Sequence, residues 1–272
     1  MPLRPYREAL EDLYQTYNRR RFVAPDPVQF LYAYADSGDR EVVALIAACL
    51  SYGRVAQILR SIGRVLEPMG PRPARFLRDT GPSQLRRTFA GFRHRFTGGE
   101  DLVALLAAVR RVLRRHGTLE CCFAAGARPQ EETVLPALGA FVDEVRRFGG
   151  PRGHLLPHPG KGSACKRLNL FLRWMVRNDE VDPGGWSAIP PAALIVPLDV
   201  HMHRMARALG ATRRKAADGR TAVEVTAAFR AIQPDDPVRY DFALTRMGIH
   251  PDVDLSGFLN RSRSHGEKCS KR

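Results

Sequence analysis

Two of the chain's few lysines lie in one short stretch, "HPGKGSACKRLNLFLRW", at residues 158–174. The sequence holds 43 Lys and Arg residues, and Lys occurs only at positions 161, 166, 215, 268 and 271. A primary amine can lose its proton and attack a carbonyl carbon to form a Schiff base, whereas a guanidinium stays protonated. Lys166, in the first turn of the helix that follows, is therefore the candidate nucleophile.

A glycine-rich turn precedes that helix, and its residues are Gly160, Lys161, Gly162 and Ser163. Glycine lets backbone N–H groups approach an anion closely, and a helix N-terminus adds positive potential. We therefore predict that the turn binds a nucleic-acid phosphate. A plain connection between two helices is the alternative. Lys161 is the rival nucleophile, although its position inside the turn favours contact with a phosphate.

A candidate carboxylate stands in "PLDVHMHRMARALG", residues 197–210. Asp199 directly precedes a helical pattern, which predicts that it caps the helix and that its orientation is thereby fixed. His201 and His203 fall in the first turn of that helix. No third ligand accompanies them, so we predict no metal site there, and we place His201 among the residues that contact the DNA backbone.

Helical periodicity dominates the rest of the chain, and strand-like alternation is weak, so we predict an all-α fold. The predicted helices are 7–17, 39–50, 55–67, 82–92, 100–116, 131–148, 164–177, 200–209, 221–231 and 237–247. The Gly/Pro-rich stretch 149–163 divides the chain. We predict four segments, which are an N-terminal helical segment (1–38), two helical halves (39–150 and 151–255) and a basic disordered tail (256–272).

The last predicted helix begins at Pro237, a residue favoured at the first helical position. Tyr240, Leu244 and Met247 are expected to pack inward. Asp241 on the same helix is either a second acid beside the site or a solvated residue, and the prediction is that it is solvated.

The formal net charge of +15 predicts an acidic partner, with nucleic acid ahead of a ribosomal or acidic protein surface. No apolar run is long enough to span a bilayer, and the first residues lack a secretory signal, so we expect a cytoplasmic protein without a membrane partner. The five cysteines show no metal-binding spacing. We therefore expect neither a metal nor a cofactor.

The glycine-rich turn, the early Lys and "PLDVH" together resemble the helix-hairpin-helix DNA glycosylase superfamily, which includes endonuclease III and the 8-oxoguanine DNA glycosylases. "LIAACLSYGR" and "GFRHRF" are similar to segments of the same enzymes. The resemblance implies two helical halves that flank a cleft. The chain departs from the superfamily pattern because Lys166 is shifted by two residues from the usual position, where Ala164 stands, and because the four-Cys iron–sulfur loop is absent.

More closely, the chain resembles a family of uncharacterised bacterial proteins known as DUF2400. The segments that carry this resemblance are "SACKRLNLFLRWMVR", "PLDVH" and "DPVRYDFALTRMGI". That family name implies no activity, so the enzymatic hypothesis comes from the more distant superfamily.

The superfamily resemblance implies a monomeric base-excision-repair glycosylase, with or without AP lyase activity, that flips a damaged nucleotide out of duplex DNA. Lys166 would attack the anomeric carbon, and Asp199 would stabilise the developing charge. Tyr52, Arg54 and Arg95 are candidate base-pocket residues, with Phe92 and Arg93 beside them, although such residues at helix ends also pack structurally. The alternative is a non-catalytic protein that binds DNA or RNA.

Overall fold

The computed structural model describes residues 2–128 and 130–249, and within them the chain is mostly helical with one short antiparallel hairpin. Its helices and strands are α1 (Arg7–Tyr17), α2 (Ser37–Leu50), α3 (Val55–Leu66), α4 (Pro73–Asp79), α5 (Pro82–Phe89), β1 (Arg93–His94), β2 (Thr97–Gly98), α6 (Gly99–His116), α7 (Leu119–Ala124), α8 (Leu135–Arg147), α9 (Lys166–Val176), α10 (Val200–Ala208), α11 (Gly219–Arg230) and α12 (Asp241–Ile249). The prediction of an all-α fold is confirmed.

Helix α2 lies at the centre of the core. Residues 42–50 are each at most 2 % exposed, as the uninterrupted apolar sequence predicts for a helix buried on all sides. The helix begins after Asp36, whose side chain accepts a hydrogen bond from the Asp39 N–H at 2.9 Å. One side of α2 packs against α9, so the buried helix supports the helix that carries Lys166.

Helix α9 buries the apolar face that its sequence predicts, and the buried side chains include Leu168, Phe171, Leu172 and Met175. The helix begins at Lys166, two residues later than predicted. Cys165 precedes it in a left-handed conformation, with φ at +47°. This kinked entry separates the glycine-rich turn from the first helical residue, so Lys166 stands at the very start of α9.

A network of buried ion pairs extends from the other end of α9. Arg173 contacts Asp182 at 3.1 Å and also pairs with Asp241. Arg177 pairs with Asp182 and contacts Asp236 at 2.9 Å. Because an unpaired charge is very costly to bury, these mutual contacts explain how so many charged side chains lie in the interior.

The N-terminal segment packs against α12 and the residues just before it. Helix α1 contacts α12, and Glu11 at α1 forms an ion pair with Arg239 at 2.7 Å. Further along, Asp26 pairs with Arg246 of α12 at 2.8 Å. The division into four segments stays a prediction, and its fourth segment, 256–272, lies outside the described residues.

Two local predictions are wrong. Residues 237–240 form a turn instead of the first helical turn, and α12 begins only at Asp241. No strand was predicted, but the segment between α5 and α6 folds into the β1–β2 hairpin, in which Arg93 pairs with Gly98 and His94 pairs with Thr97. Among the helices of the described residues, none has the length and apolar character needed to cross a membrane.

Candidate functional site

The structure brings Lys166 and Asp199 together. The Lys166 Nζ lies 3.7 Å from the Asp199 Oδ2, and the two side chains are 30 % and 35 % exposed. Each side chain projects from the beginning of a helix, α9 and α10 respectively. The amine is therefore close to a carboxylate and still accessible from solvent.

Asp199 caps α10, as its position in the sequence predicts. Its Oδ1 accepts hydrogen bonds from the backbone N–H groups of His201 at 3.0 Å and Met202 at 2.9 Å. These two bonds fix the orientation of the carboxylate, and its second oxygen, Oδ2, is the one next to the Lys166 amine. Capping and contact with the amine are thus divided between the two oxygens.

Both residues line a cleft with a volume of about 630 Å³. One wall comes from residues 51–58, around the end of α2 and the start of α3, and another comes from α9, α10 and α12. Residues 25–27 of the N-terminal segment close a further side. A cleft of this size falls within the range of small-molecule sites, which spans about 300–1,000 Å³.

Asp241 lines this cleft and is buried, so the prediction that it is solvated is wrong. The residue opens α12 and pairs with Arg173 at the inner end of the cleft. Burial raises the pKa of Asp241 to about 6, and the nearby carboxylate of Asp199 acts in the same direction, although the Arg173 guanidinium opposes both. A second acid thus lines the same cleft as the Lys166–Asp199 pair.

The glycine-rich turn is tight, and its backbone N–H groups donate hydrogen bonds within the turn instead of pointing towards a ligand. Residues 159–161 form a single 3-10 turn, and Gly162 follows with φ at +78°. The N–H groups of Gly160, Lys161 and Gly162 all donate within the turn, to His158 or Pro159. The predicted phosphate contact therefore depends on the exposed Lys161 side chain more than on these backbone donors. Ser163 accepts a hydrogen bond from Cys165.

Of the candidate base-pocket residues, Tyr52 lies in the cleft wall. Its hydroxyl donates to the His94 carbonyl at 2.9 Å and contacts the Thr97 hydroxyl at 2.5 Å, so the ring is fixed against the hairpin. Arg95 occupies the corner of the hairpin and packs over Gly53, where a Cβ would lie 2.8 Å from the Arg95 Cδ. Arg54 is exposed at the start of α3.

The two further candidates, Phe92 and Arg93, differ in their exposure to solvent. Phe92 is buried in the core, which excludes it from contact with a ligand in this conformation. Arg93 is exposed on β1. The sequence alone did not distinguish the two, because their neighbours are equally basic.

Sequence reasoning missed Phe96 and Arg167. The Phe96 ring is 61 % exposed and stacks on Tyr52, with centroids 4.9 Å apart. The Arg167 guanidinium lies over the Tyr52 ring, 4.9 Å from its centroid, and donates to the Cys49 carbonyl at 2.6 Å. Arg167 could have been found from the sequence, because it directly follows Lys166. The exposure of Phe96, the last residue of "FRHRF", could not be predicted from the sequence.

The two histidines of α10 differ in their surroundings. His201 is exposed and lines the cleft, and the His203 Nε2 pairs with the Arg214 carbonyl at 3.0 Å. Within residues 2–128 and 130–249, no group of three or more His, Cys, Asp or Glu side chains is arranged to hold a metal ion.

The fold and the cleft define a mostly helical protein in which a primary amine and a carboxylate lie 3.7 Å apart within one cleft. A family model described as "Protein of unknown function (DUF2400)" matches residues 26–250, and this chain belongs to that family. The match includes both Lys166 and Asp199. Comparison with curated proteins and with solved structures gave no match.

Proposed function

We propose that this chain binds duplex DNA and acts on a damaged nucleotide flipped into the cleft, with Lys166 as the nucleophile and Asp199 as the assisting carboxylate. The observation that carries the proposal is the 3.7 Å separation between the Lys166 Nζ and the Asp199 Oδ2 within an open cleft. Two residues far apart in sequence thus supply the amine and the acid that imine chemistry requires.

The reaction begins at the anomeric carbon of the flipped nucleotide. The Lys166 amine attacks C1′, the glycosidic C–N bond breaks, and the base leaves with that electron pair and takes up a proton. The attached nitrogen then loses a proton, and its electron pair forms the C=N bond as the C1′–O4′ bond breaks. O4′ takes up a proton, which leaves the imine between Lys166 and the opened sugar. In the lyase branch, removal of a C2′ proton forms a C2′–C3′ double bond and breaks the C3′–O bond. The leaving group is the downstream strand, which keeps the phosphate at its 5′ end.

Asp199 suits the assisting role because its position is fixed before a substrate arrives. Two backbone N–H groups hold one of its oxygens, and the other faces the amine. A preorganised carboxylate stabilises positive charge that develops on the sugar, and it accepts a proton from the attacking amine. The half-exposed surroundings allow that proton to pass on to water.

The cleft rim has the features of a nucleic-acid surface. Tyr52 and the exposed Phe96 form a stacked aromatic pair, and the Arg167 guanidinium lies over the Tyr52 ring. Aromatic rings of this kind stack on bases without regard to sequence, and each such stack stabilises binding by about 1–3 kcal/mol. The net charge of +15 adds long-range attraction for the phosphate backbone.

Borohydride trapping tests the proposal directly. We expect a covalent protein–DNA adduct when the chain is incubated with duplex DNA that contains an abasic site, or one member of a panel of damaged bases, in the presence of borohydride. Lys166→Ala should reduce the adduct to background. Lys161→Ala tests the rival nucleophile of the turn. The matched control is Arg86→Ala, which removes one exposed positive charge of α5 and should leave trapping within about twofold of the unaltered chain.

The trapping experiment also has a clear negative outcome. If no substrate of the panel yields an adduct, or if Lys166→Ala traps as well as the unaltered chain, the catalytic proposal is wrong. An adduct that is lost in Lys161→Ala and retained in Lys166→Ala would assign the nucleophile to the rival residue of the turn.

The high positive charge favours a second candidate, a nucleic-acid-binding protein that performs no chemistry. This candidate needs the basic surface and the aromatic rim but not the amine. It predicts that Lys166→Ala leaves DNA affinity unchanged while no base release is detected. Competition between duplex DNA and structured RNA at a fixed salt concentration would identify the preferred nucleic acid.

A further inference from the structure

Two segments meet next to helices α9 and α10. One is the turn at 158–163, and the other is the 211–220 loop, defined here as the connection from α10 together with the first two residues of α11. The Gly219 N–H donates to the Gly162 carbonyl at 2.8 Å, so the two backbones are directly joined. A Cβ at Gly219 would lie 2.9 Å from the Ser163 carbonyl oxygen, which is too close for any other residue without a shift of the backbone. The contact requires glycine at position 219. It holds the two loops next to each other, so that together they form one surface.

The second loop is held by its own polar contacts. The Arg214 guanidinium donates to Asp218 at 2.9 Å and to the Thr221 hydroxyl at 2.8 Å. The Arg214 carbonyl pairs with His203 of α10 at 3.0 Å. Arg214 and Asp218 therefore neutralise each other and fix the loop against α10 and α11.

The other cationic side chains of the two loops are exposed and are not paired with an acid among the described residues. Lys161, Arg213, Lys215 and Arg220 are all exposed. Over the residues that the structure describes, none of the four takes part in an ion pair, whereas the only acid of the two loops, Asp218, is paired with Arg214. This concentration of unpaired positive charge on a fixed surface attracts a polyanion.

We infer that these four side chains form a clamp for the phosphate backbone of duplex DNA, outside the cleft, and that the 211–220 loop is a DNA-binding element. The inference rests on the proposed function, since it supplies the contact that holds the duplex while a nucleotide enters the cleft. The turn precedes α9, which begins at Lys166, and the loop follows α10, which Asp199 caps. Helix α10 has nine residues and therefore spans about 13 Å, which places the loop within reach of the same duplex.

The salt dependence of DNA binding tests the clamp. The double variant Lys215→Gln/Arg220→Gln removes two of its charges, and Arg86→Gln/Arg87→Gln removes two exposed charges of α5 as a control with the same net charge. Affinity for an undamaged duplex of 20 base pairs would be measured by fluorescence anisotropy across a series of NaCl concentrations. We expect the clamp variant to lower the slope of log K against log salt by about 2, and the control by less than about 0.5.

The possible results separate the clamp from the catalytic proposal. Equal slopes for the two double variants would overturn the clamp even if borohydride trapping succeeds. A reduced slope in the clamp variant together with failed trapping would support the clamp and reject catalysis. If the unaltered chain shows no salt-dependent affinity for duplex DNA, or prefers structured RNA in competition, the assignment of the loop to DNA is wrong.

Discussion

Two of the three cationic residues of helix α9 lie in opposite surroundings. Lys166 at its first position is 30 % exposed and lies 3.7 Å from one carboxylate, Asp199. Arg173, two turns later, is 3 % exposed and contacts Asp182 and Asp241. The same helix thus has a loosely paired amine at the cleft and a tightly paired guanidinium in the interior.

The buried network around Arg173 and the exposed pair at the cleft contribute differently to the stability of the fold. A buried charge that loses its partner destabilises the fold strongly, whereas an exposed ion pair contributes little to stability. The Arg173 network therefore holds α9, α12 and the segment around Asp182 together. The Lys166–Asp199 pair is not needed for that purpose, and its amine stays accessible from solvent.

The largest effect is expected in the buried network. Asp182→Ala leaves Arg173 and Arg177 without the carboxylate they share, and we expect the free energy of unfolding to fall by about 3–5 kcal/mol. Denaturant titration measures this change. Asp143→Ala is the control, because that carboxylate is 68 % exposed, and its loss should change stability by less than about 0.5 kcal/mol. Equal changes in the two variants would remove the distinction between the regions.

Glu41 is a buried carboxylate that differs from Asp182 and Asp241, because its hydrogen-bond partners are neutral instead of cationic. It accepts from the N–H groups of Leu119 and Glu120 and from the Trp186 indole. Burial raises the pKa of Glu41 to about 7, despite the opposing hydrogen bonds, so the folded state retains a proton that the unfolded state has lost. Stability from this group is therefore full below about pH 4.5 and is lost as the pH rises through 7.

We expect the free energy of unfolding to be about 2 kcal/mol larger at pH 5 than at pH 8 from this group alone. Glu41→Gln isolates it, because glutamine keeps the side-chain shape and does not titrate. The difference in stability between the unaltered chain and this variant, measured by denaturant unfolding, should shrink across that pH range. A difference that is constant with pH would show that Glu41 is ionised in the folded state.

A smaller effect on stability is expected from Asp199, because it caps a helix at the surface. Asp199→Ala removes the cap and should lower stability by about 1 kcal/mol, whereas Asp199→Asn retains a good capping group and should lower it by less than about 0.5 kcal/mol. Both variants remove the negative charge beside Lys166, so both should weaken borohydride trapping. If Asp199→Asn traps normally, the carboxylate is needed only as a cap.

The smallest effect is expected from Lys166→Ala. Loss of a half-exposed ion pair at 3.7 Å should change the free energy of unfolding by less than about 0.5 kcal/mol. Thermal and denaturant unfolding of this variant would show whether any loss of trapping comes from the chemistry alone. A loss of more than 2 kcal/mol would place Lys166 among the structural residues, together with Arg173.

Much of the candidate site could be predicted from the sequence. The apolar periodicity of α9 and the capping position of Asp199 located both residues at helix starts, and the structure brings them together. The burial of Asp241 in the same cleft was not predicted, because the favoured alternative was a solvated residue. Asp241 looks like an ordinary polar residue near the start of a helix, and only its contact with Arg173 shows that it is buried.

The fold shows the same division. Helix α2 was predicted because its apolar residues leave no polar face, and the all-α class followed from similar patterns elsewhere. The β1–β2 hairpin was missed because its strands have two residues each, too few for alternation to show. Its exposed Phe96 could not be recognised before the position of the ring against Tyr52 was known.

The sequence by itself determined the helical class, the family, the net charge and the residue types able to do chemistry. These properties follow from composition and from rules that act over a few neighbouring residues, such as periodicity and capping. The tertiary structure decided which cations are buried and paired, which stay open, and which loops meet. Desolvation and pairing depend on contacts between residues distant in the chain, and 38 arginines with similar neighbours give no local sign of those contacts.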